Sequence, residues 1–283
     1  MQDLVITAVS EYGYDKLKYW VNSLNRSGFT GRKVVIAFNI KDDTIKQLQD
    51  NGIEVVLTST NRNYNDTGYQ FELGLTYQVP MLRHYFYWQY LKQQSGIRYV
   101  ISTDCADVVF QSNPSDWLDV YGLDGSLFYA SEGLEYKNED WGRQNLIDCF
   151  GPDVYETMKD NQIYNAGSMA GDFESFKEFS LNVALLCRGI NNPTPDQAAV
   201  NVLLGLKPYF YMTHFISHDI NWACECGTTV DPTKIDKFRP HLKCGEPTFD
   251  GEFVYTPSGD KYVMVHQYNR VPAWKNLIER KYG

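Results

Sequence analysis

The sequence predicts an α/β protein with a mostly parallel central sheet flanked by helices and a less regular C-terminal portion. Strand-length apolar runs alternate with helix-period segments up to Leu57, and that alternation builds parallel sheets with helices on their faces. A fourth apolar run, 98–103, opens directly into two acids, Asp104 and Asp107. Composition agrees: 43% hydrophobic and 22% charged residues in a chain of 283 suit a globular protein that buries a large core without metal or disulfide staples.

The elements follow in order. Residues 4–9 are a continuous apolar run of strand length, and 14–24 place Leu17, Trp20, Val21 and Leu24 at helical spacing before Gly28 and Gly31. Residues 33–38 repeat the strand pattern, 42–48 form a short helix, Asn51 and Gly52 turn, and 53–57 make a third strand. The stretch 61–68 is polar, turn-rich and without period, either a functional excursion from the sheet or a plain surface loop. Pro80 suits the first turn of a helix whose buried side is marked by Met81, Leu82, Tyr85, Phe86 and Leu91. Beyond the fourth strand, strand-like runs recur at 126–131, 164–170 and 262–265, with helices near 174–188 and 196–205. No repeat or low-complexity linker divides the chain, so one domain over 1–283 is expected, with a soft boundary near 150.

Charge and cysteine usage narrow the partners. With 26 basic and 35 acidic side chains the net charge is −9 and no basic run stands out, which disfavours nucleic acid and anionic lipid. No apolar stretch has the 18 or so residues that cross a bilayer, and Met1, Gln2 and Asp3 lead straight into a strand, so no signal peptide or anchor is expected. Six cysteines are sparse for this length and point to a reducing cytoplasm. Cys224, Cys226, His241 and Cys244 offer zinc-type ligands, but neither pair has the usual spacing, so ordinary thiols are expected.

The chemistry centres on Asp104 and Asp107. Open α/β sheets bind ligands beyond the carboxyl ends of their strands, and two acids there, three apart with small residues between, can converge on one hard divalent cation. Two carboxylates leave coordination positions for substrate phosphates; the plainer alternative has Asp104 capping a turn and Asp107 solvated. Three further segments give context: Tyr164-Asn165-Ala166-Gly167, Pro195-Asp196-Gln197 opening a helix, and Val265-His266-Gln267 ending a late strand.

In that order of motifs, together with the run 128–133 that ends on Glu132 and Gly133, the chain resembles nucleotide-sugar glycosyltransferases of the GT-A fold. It is similar to the glycosyltransferase domain of the lysyl hydroxylases and to small glycosyltransferases of large algal viruses. The resemblance implies that Asp104 and Asp107 are the metal-binding acids and His266 the third ligand, a set that suits Mn2+ or Mg2+. It implies a diphosphate contact by Arg270 or Lys275, a donor- or acid-holding role for Arg83, and a pyrimidine base against Thr7, Ala8, Val9 and Ser10. Tyr14 and Tyr69 are stacking candidates, and uridine is the expected base. Asn165, Ala166 and Gly167 line the sugar. Asp196 takes an acceptor or base role, with an N-cap as its plain alternative, and Glu132 is the rival base. Trp141, Trp222 and Trp274 stay unsorted between core and sugar platforms.

The expected function is therefore transfer of a monosaccharide (xylose, glucose or galactose) from a UDP-sugar to a hydroxyl of a glycan or glycoconjugate. A non-catalytic nucleotide- or carbohydrate-binding module on the same fold is the alternative. A nucleotidyltransferase would need a glycine-rich loop after the first strand, which the segment from Ser10 to Tyr14 lacks. Stereochemistry, donor sugar, acceptor and oligomeric state are open at this stage.

Overall fold

The computed structural model describes the backbone of residues 1–58 and 79–283 and the side chains of 1–58 and 82–283. The stretch 61–68, Tyr69 and the side chains of Pro80 and Met81 lie outside the described residues.

Strands β1 (Gln2–Ser10), β2 (Arg32–Phe38) and β3 (Glu54–Leu57) pair in parallel, as the alternating pattern predicts, and β4 (Ile97–Thr103) joins β1 on its other side. Helices α1 (Tyr14–Arg26) and α2 (Asp42–Asp50) provide the crossovers, and α3 (Val79–Leu91) precedes β4. Gly28 allows the chain to leave α1 with a φ of +88°, a left-handed turn that residues with a Cβ seldom adopt.

The seven-stranded sheet runs β3-β2-β1-β4-β7-β6-β8, where β6 is Leu127–Glu135, β7 is Gln162–Asp172 and β8 is Thr213–Ile216. β7 is antiparallel to both neighbours, so the sheet is mostly, not wholly, parallel. A strand from beyond residue 150 thus sits beside β4 and faces the acids at its end.

Alternate side chains feed two cores. Val5 and Val9 of β1 pack with Leu17, Trp20, Val21 and Leu24 of α1 on one face, while Leu4 and Ile6 pack on the other. That second face is covered by α3, α7 (Phe173–Leu186) and α8 (Pro195–Leu204), through residues such as Tyr87, Phe176 and Val200. These helices carry Arg83 and Asp196 to the mouth of the sheet.

A second, three-stranded sheet of order β5-β12-β9 was not foreseen; its strands are β5 (Val108–Phe110), β12 (Met264–His266) and β9 (Ala223–Glu225). The late strand expected over 262–265 is correspondingly shorter and ends on His266. Among the described residues no helix is long and apolar enough to cross a membrane, and all six cysteines are free thiols.

Candidate active site

Two strand ends and one small sheet assemble the site. Asp104 follows β4, where Thr103 pairs with Ser168 of β7 and the Asp104 amide donates to the Gly167 carbonyl at 3.0 Å. Asp107 immediately precedes Val108, which is paired with His266 across β5 and β12. On the other side of β12, His266 is paired with Glu225 of β9. Pairing register therefore sets Asp107, His266 and Glu225 side by side, and β4 delivers Asp104 to the same point.

The Nε2 atom of His266 lies 3.4 Å from Asp104 Oδ2 and 3.8 Å from Asp107 Oδ1. One ligand atom from each residue falls within 4.8 Å of the others, and this is the one such cluster among the described residues. Cys224, Cys226, His241 and Cys244 do not form one; the Cys224 and Cys226 sulfurs are 3.6 Å apart, and His241 is exposed.

Gly167 floors the cluster, since a Cβ there would lie 2.7 Å from both Asp104 Oδ2 and His266 Cε1. Two carboxylate oxygens and one imidazole nitrogen, with the acids partly open to the cavity (39% and 20% side-chain exposure) and the histidine closed off (2%), suit a divalent ion of the manganese type. The residues present fit the group.

Arg83 ties this cluster to Asp196 of α8. Its guanidinium donates to Asp104 Oδ1 and to Asp196 Oδ2, both at 2.6 Å, and to the Ala166 carbonyl at 3.2 Å. Burial opposes the Asp104 charge, but Arg83 and His266 outweigh it and hold the carboxyl well below the usual carboxylate range. Asp107 goes the other way, pushed up chiefly by burial. Burial also opposes a charged His266, yet Glu225, Asp104 and Asp107 surround the ring and raise it well above the ordinary histidine value. At Asp196 burial is again overcome by Arg83, and the acid sits below its ordinary value.

A cavity of about 560 Å³ opens in front of the cluster. Asp104, Asp107 and His266 form one wall, Glu132, Asn165, Ala166, Gly167 and Asp196 another, and Arg270 closes the side. A second hollow of about 370 Å³, lined by Ala8, Ser10, Cys105, Ala106 and Asn269, shares Tyr12, Arg83, Asp104 and Asp107 with it. Glu132 is nearly buried and accepts hydrogen bonds from Asn165 Nδ2 at 2.8 Å and Gln197 Nε2 at 3.4 Å. Burial, with the Glu225 and Glu139 carboxylates nearby, pushes its carboxyl up to about 8.

Several expectations need correction. On β1, Ala8 and Ser10 line the second hollow, while the Thr7 side chain is buried with its hydroxyl on the Thr103 carbonyl at 2.7 Å and that of Val9 faces the core, as strand alternation requires. Tyr14 packs against the core, and among the described residues the tyrosine lining the cavity is Tyr12. Lys275 lies on α12 (Pro272–Tyr282), paired with Glu279 one turn on at 2.7 Å, and lines neither hollow, whereas Arg270 does. The α8 N-cap is Thr194, which places Asp196 inside the first turn with its side chain on Arg83 rather than on backbone amides. The tryptophans separate cleanly: Trp222 is core, Trp274 packs at a tilt against Phe249, and Trp141 is 52% exposed at the cavity wall.

Gln197 and Glu225 were missed. Gln197 Oε1 accepts from the Ala166 amide at 2.9 Å and fixes the strand that lines the cavity. Glu225 sits between two cysteines, and no sequence period marks it; only the pairing of β9 with β12 reveals it.

The fold is that of the GT-A class. Among solved structures, the bifunctional glycosyltransferase WbbM in its apo form is similar, with a TM-score of 0.62 at 11% identity, covering 99% of this chain and 51% of that one. The chain thus spans about half the length of that protein. The galactosyltransferase LgtC, solved with donor and acceptor sugar analogues, is similar with a TM-score of 0.56 at 11% identity, over 98% of this chain and 95% of its own. At this identity the likeness is one of fold. No protein-family model matches the sequence, and no curated protein matches it.

Proposed function

We propose that the chain is a metal-dependent glycosyltransferase that moves a monosaccharide from a UDP-sugar to a hydroxyl of a glycan or glycoconjugate. The observation that carries this reading is the Asp104, Asp107 and His266 cluster opening on a cavity of about 560 Å³ at the end of β4. The likeness in fold to two glycosyltransferases supports it, and the uridine preference rests on the motif resemblance to the lysyl hydroxylase glycosyltransferase domain. Six free thiols suit a reducing compartment such as the cytoplasm.

In this reading the hollow under Ala8 and Ser10 takes the base, and Arg270 faces the diphosphate. The chemistry that a bound divalent cation supplies, held by Asp104, Asp107 and His266, is neutralisation of the charge that develops on the leaving diphosphate. Asn165 and the small Ala166 and Gly167 seat the sugar. Its C1 bond to the diphosphate oxygen breaks, with the electron pair leaving on the diphosphate, and an acceptor hydroxyl oxygen forms the new bond to C1. Glu132, whose carboxyl is pushed up to about 8, takes the hydroxyl proton in its ionised form, a fraction that grows as pH rises toward 8. Asp196, held ionised by Arg83, is the weaker base and instead accepts a sugar or acceptor hydroxyl.

The test is a thermal-shift panel of UDP, GDP, CMP and UDP-sugars, each with Mn2+ and with EDTA. A ligand at 100 times its Kd stabilises by about 2.7 kcal/mol. Manganese-dependent stabilisation by UDP, with UDP released from a UDP-sugar when acceptor is added, is the expected result. Stabilisation without any release of UDP would instead favour a binding module, and no shift with any nucleotide would overturn the donor-site assignment.

A further inference from the structure

Glu225 is completely buried, and a charge in that position is costly unless every oxygen has a partner. Both do. Oε2 lies 2.7 Å from His266 Nδ1, and Oε1 accepts the Ser168 hydroxyl at 2.5 Å. The residue's own backbone is pinned as well, its amide donating to His218 Nε2 at 3.0 Å, and His218 Nδ1 is 2.9 Å from the Tyr262 hydroxyl. Ser168 adjoins Gly167, the residue that floors the cluster. The carboxylate is thus anchored from three strands, β7, β9 and β12, at the spot where the ring of His266 must be aimed.

With Oε1 already accepting from Ser168, the Glu225 carboxyl group is the acceptor toward the ring as well, and the hydrogen between the two residues sits on Nδ1. The other ring nitrogen, Nε2, is the atom turned toward Asp104 and Asp107. Without Glu225 only the acceptors Asp104 and Asp107 would face the ring, and they favour a hydrogen on Nε2, the atom a cation needs free.

We propose that Glu225 is a positioning residue that holds the Nδ1–H of His266 and aims Nε2 at Asp104 and Asp107, so that Nε2 is the nitrogen that gives up its hydrogen to ligate, and Glu225 thereby sets the affinity of the site for a divalent cation. This rests on the metal reading given above. Outer-shell carboxylates of this kind typically change metal affinity by 10 to 100-fold.

The experiment is a Mn2+ titration followed by EPR of the free ion, without donor or acceptor, on the wild type, Glu225→Gln, Glu225→Asp and His266→Ala. Thermal unfolding of each in EDTA is recorded alongside. Glutamine keeps the volume and the link to Ser168 but loses the charge; aspartate keeps the charge but draws it away from the ring. Expected is tight binding by the wild type, loss of binding in His266→Ala, and about 10 to 100-fold weaker binding in both Glu225 variants, with unfolding in EDTA close to that of the wild type. Wild-type affinity in both Glu225 variants would overturn the positioning role while leaving the metal site standing. So would weakened binding that simply tracks a large loss of thermal stability in EDTA, because that marks a core ion pair alone. No Mn2+ binding by the wild type, or equal binding by His266→Ala, would remove the metal reading itself, and this inference with it.

Discussion

Replacing Glu132 by glutamine removes one ionisable group and keeps the shape that Asn165 and Gln197 bond to. The wild-type carboxyl moves from the ordinary 4.5 to about 8 in the fold, which at about 1.4 kcal/mol per pH unit corresponds to about 5 kcal/mol. Because the folded value is the higher one, the contribution is fully present below pH 4.5 and is lost as pH rises through 8. Between pH 5 and pH 9 the wild type should therefore lose up to about 4 kcal/mol relative to Glu132→Gln. That figure is a ceiling, since water reaching the ionised carboxylate through the cavity reduces it. The assay is urea unfolding of both proteins in EDTA across that range, taking the difference so that every other titrating group cancels. A difference that stays constant to within about 0.5 kcal/mol would show that Glu132 is not held protonated by its surroundings.

Asp107→Asn should abolish both Mn2+ binding and sugar transfer while leaving the circular dichroism spectrum unchanged; transfer at the wild-type rate with manganese present would remove Asp107 from the site. Arg83→Met should destabilise by about 3 to 5 kcal/mol in chemical denaturation, because it strands Asp104 and Asp196 without their shared cation, and a loss under about 1 kcal/mol would mean the bridge contributes little. Gly167→Ala should weaken Mn2+ binding, since the added methyl meets Asp104 and His266 at 2.7 Å, and an unchanged titration would show that both side chains yield freely. In UDP binding by calorimetry, Arg270→Ala should lose affinity and Lys275→Ala should not; the reverse would return the diphosphate contact to α12.

How far the sequence could be read depended on what its patterns encode. The elements up to Leu57 and the helix carrying Arg83 were legible because apolar residues recur there at strand or helix spacing over many positions. β7 was harder, as its centre is built from Asn165, Ala166, Gly167 and Ser168, and nothing in those small residues says that the strand runs antiparallel. β5, β9 and β12 are three residues each, too short to show a period, so the sheet that unites Asp107, Glu225 and His266 was invisible. The two acids stood out by their spacing at the end of a strand, whereas His266 was marked only by the order of motifs. Arg270 and Lys275 were inseparable in sequence, and only the start of α12 between them sends one to the cavity and the other to Glu279.

The three-stranded sheet also bears on how the protein reaches its native state. It joins residues separated by more than half the chain, and contacts of such high sequence separation form late because loop closure must precede any gain from pairing. During synthesis Asp104 and Asp107 would emerge early, with neither the imidazole nor its carboxylate partner yet made. Two acids alone are a feeble trap for a transition metal. If the cluster holds a divalent ion, as proposed, its capture awaits docking of β12.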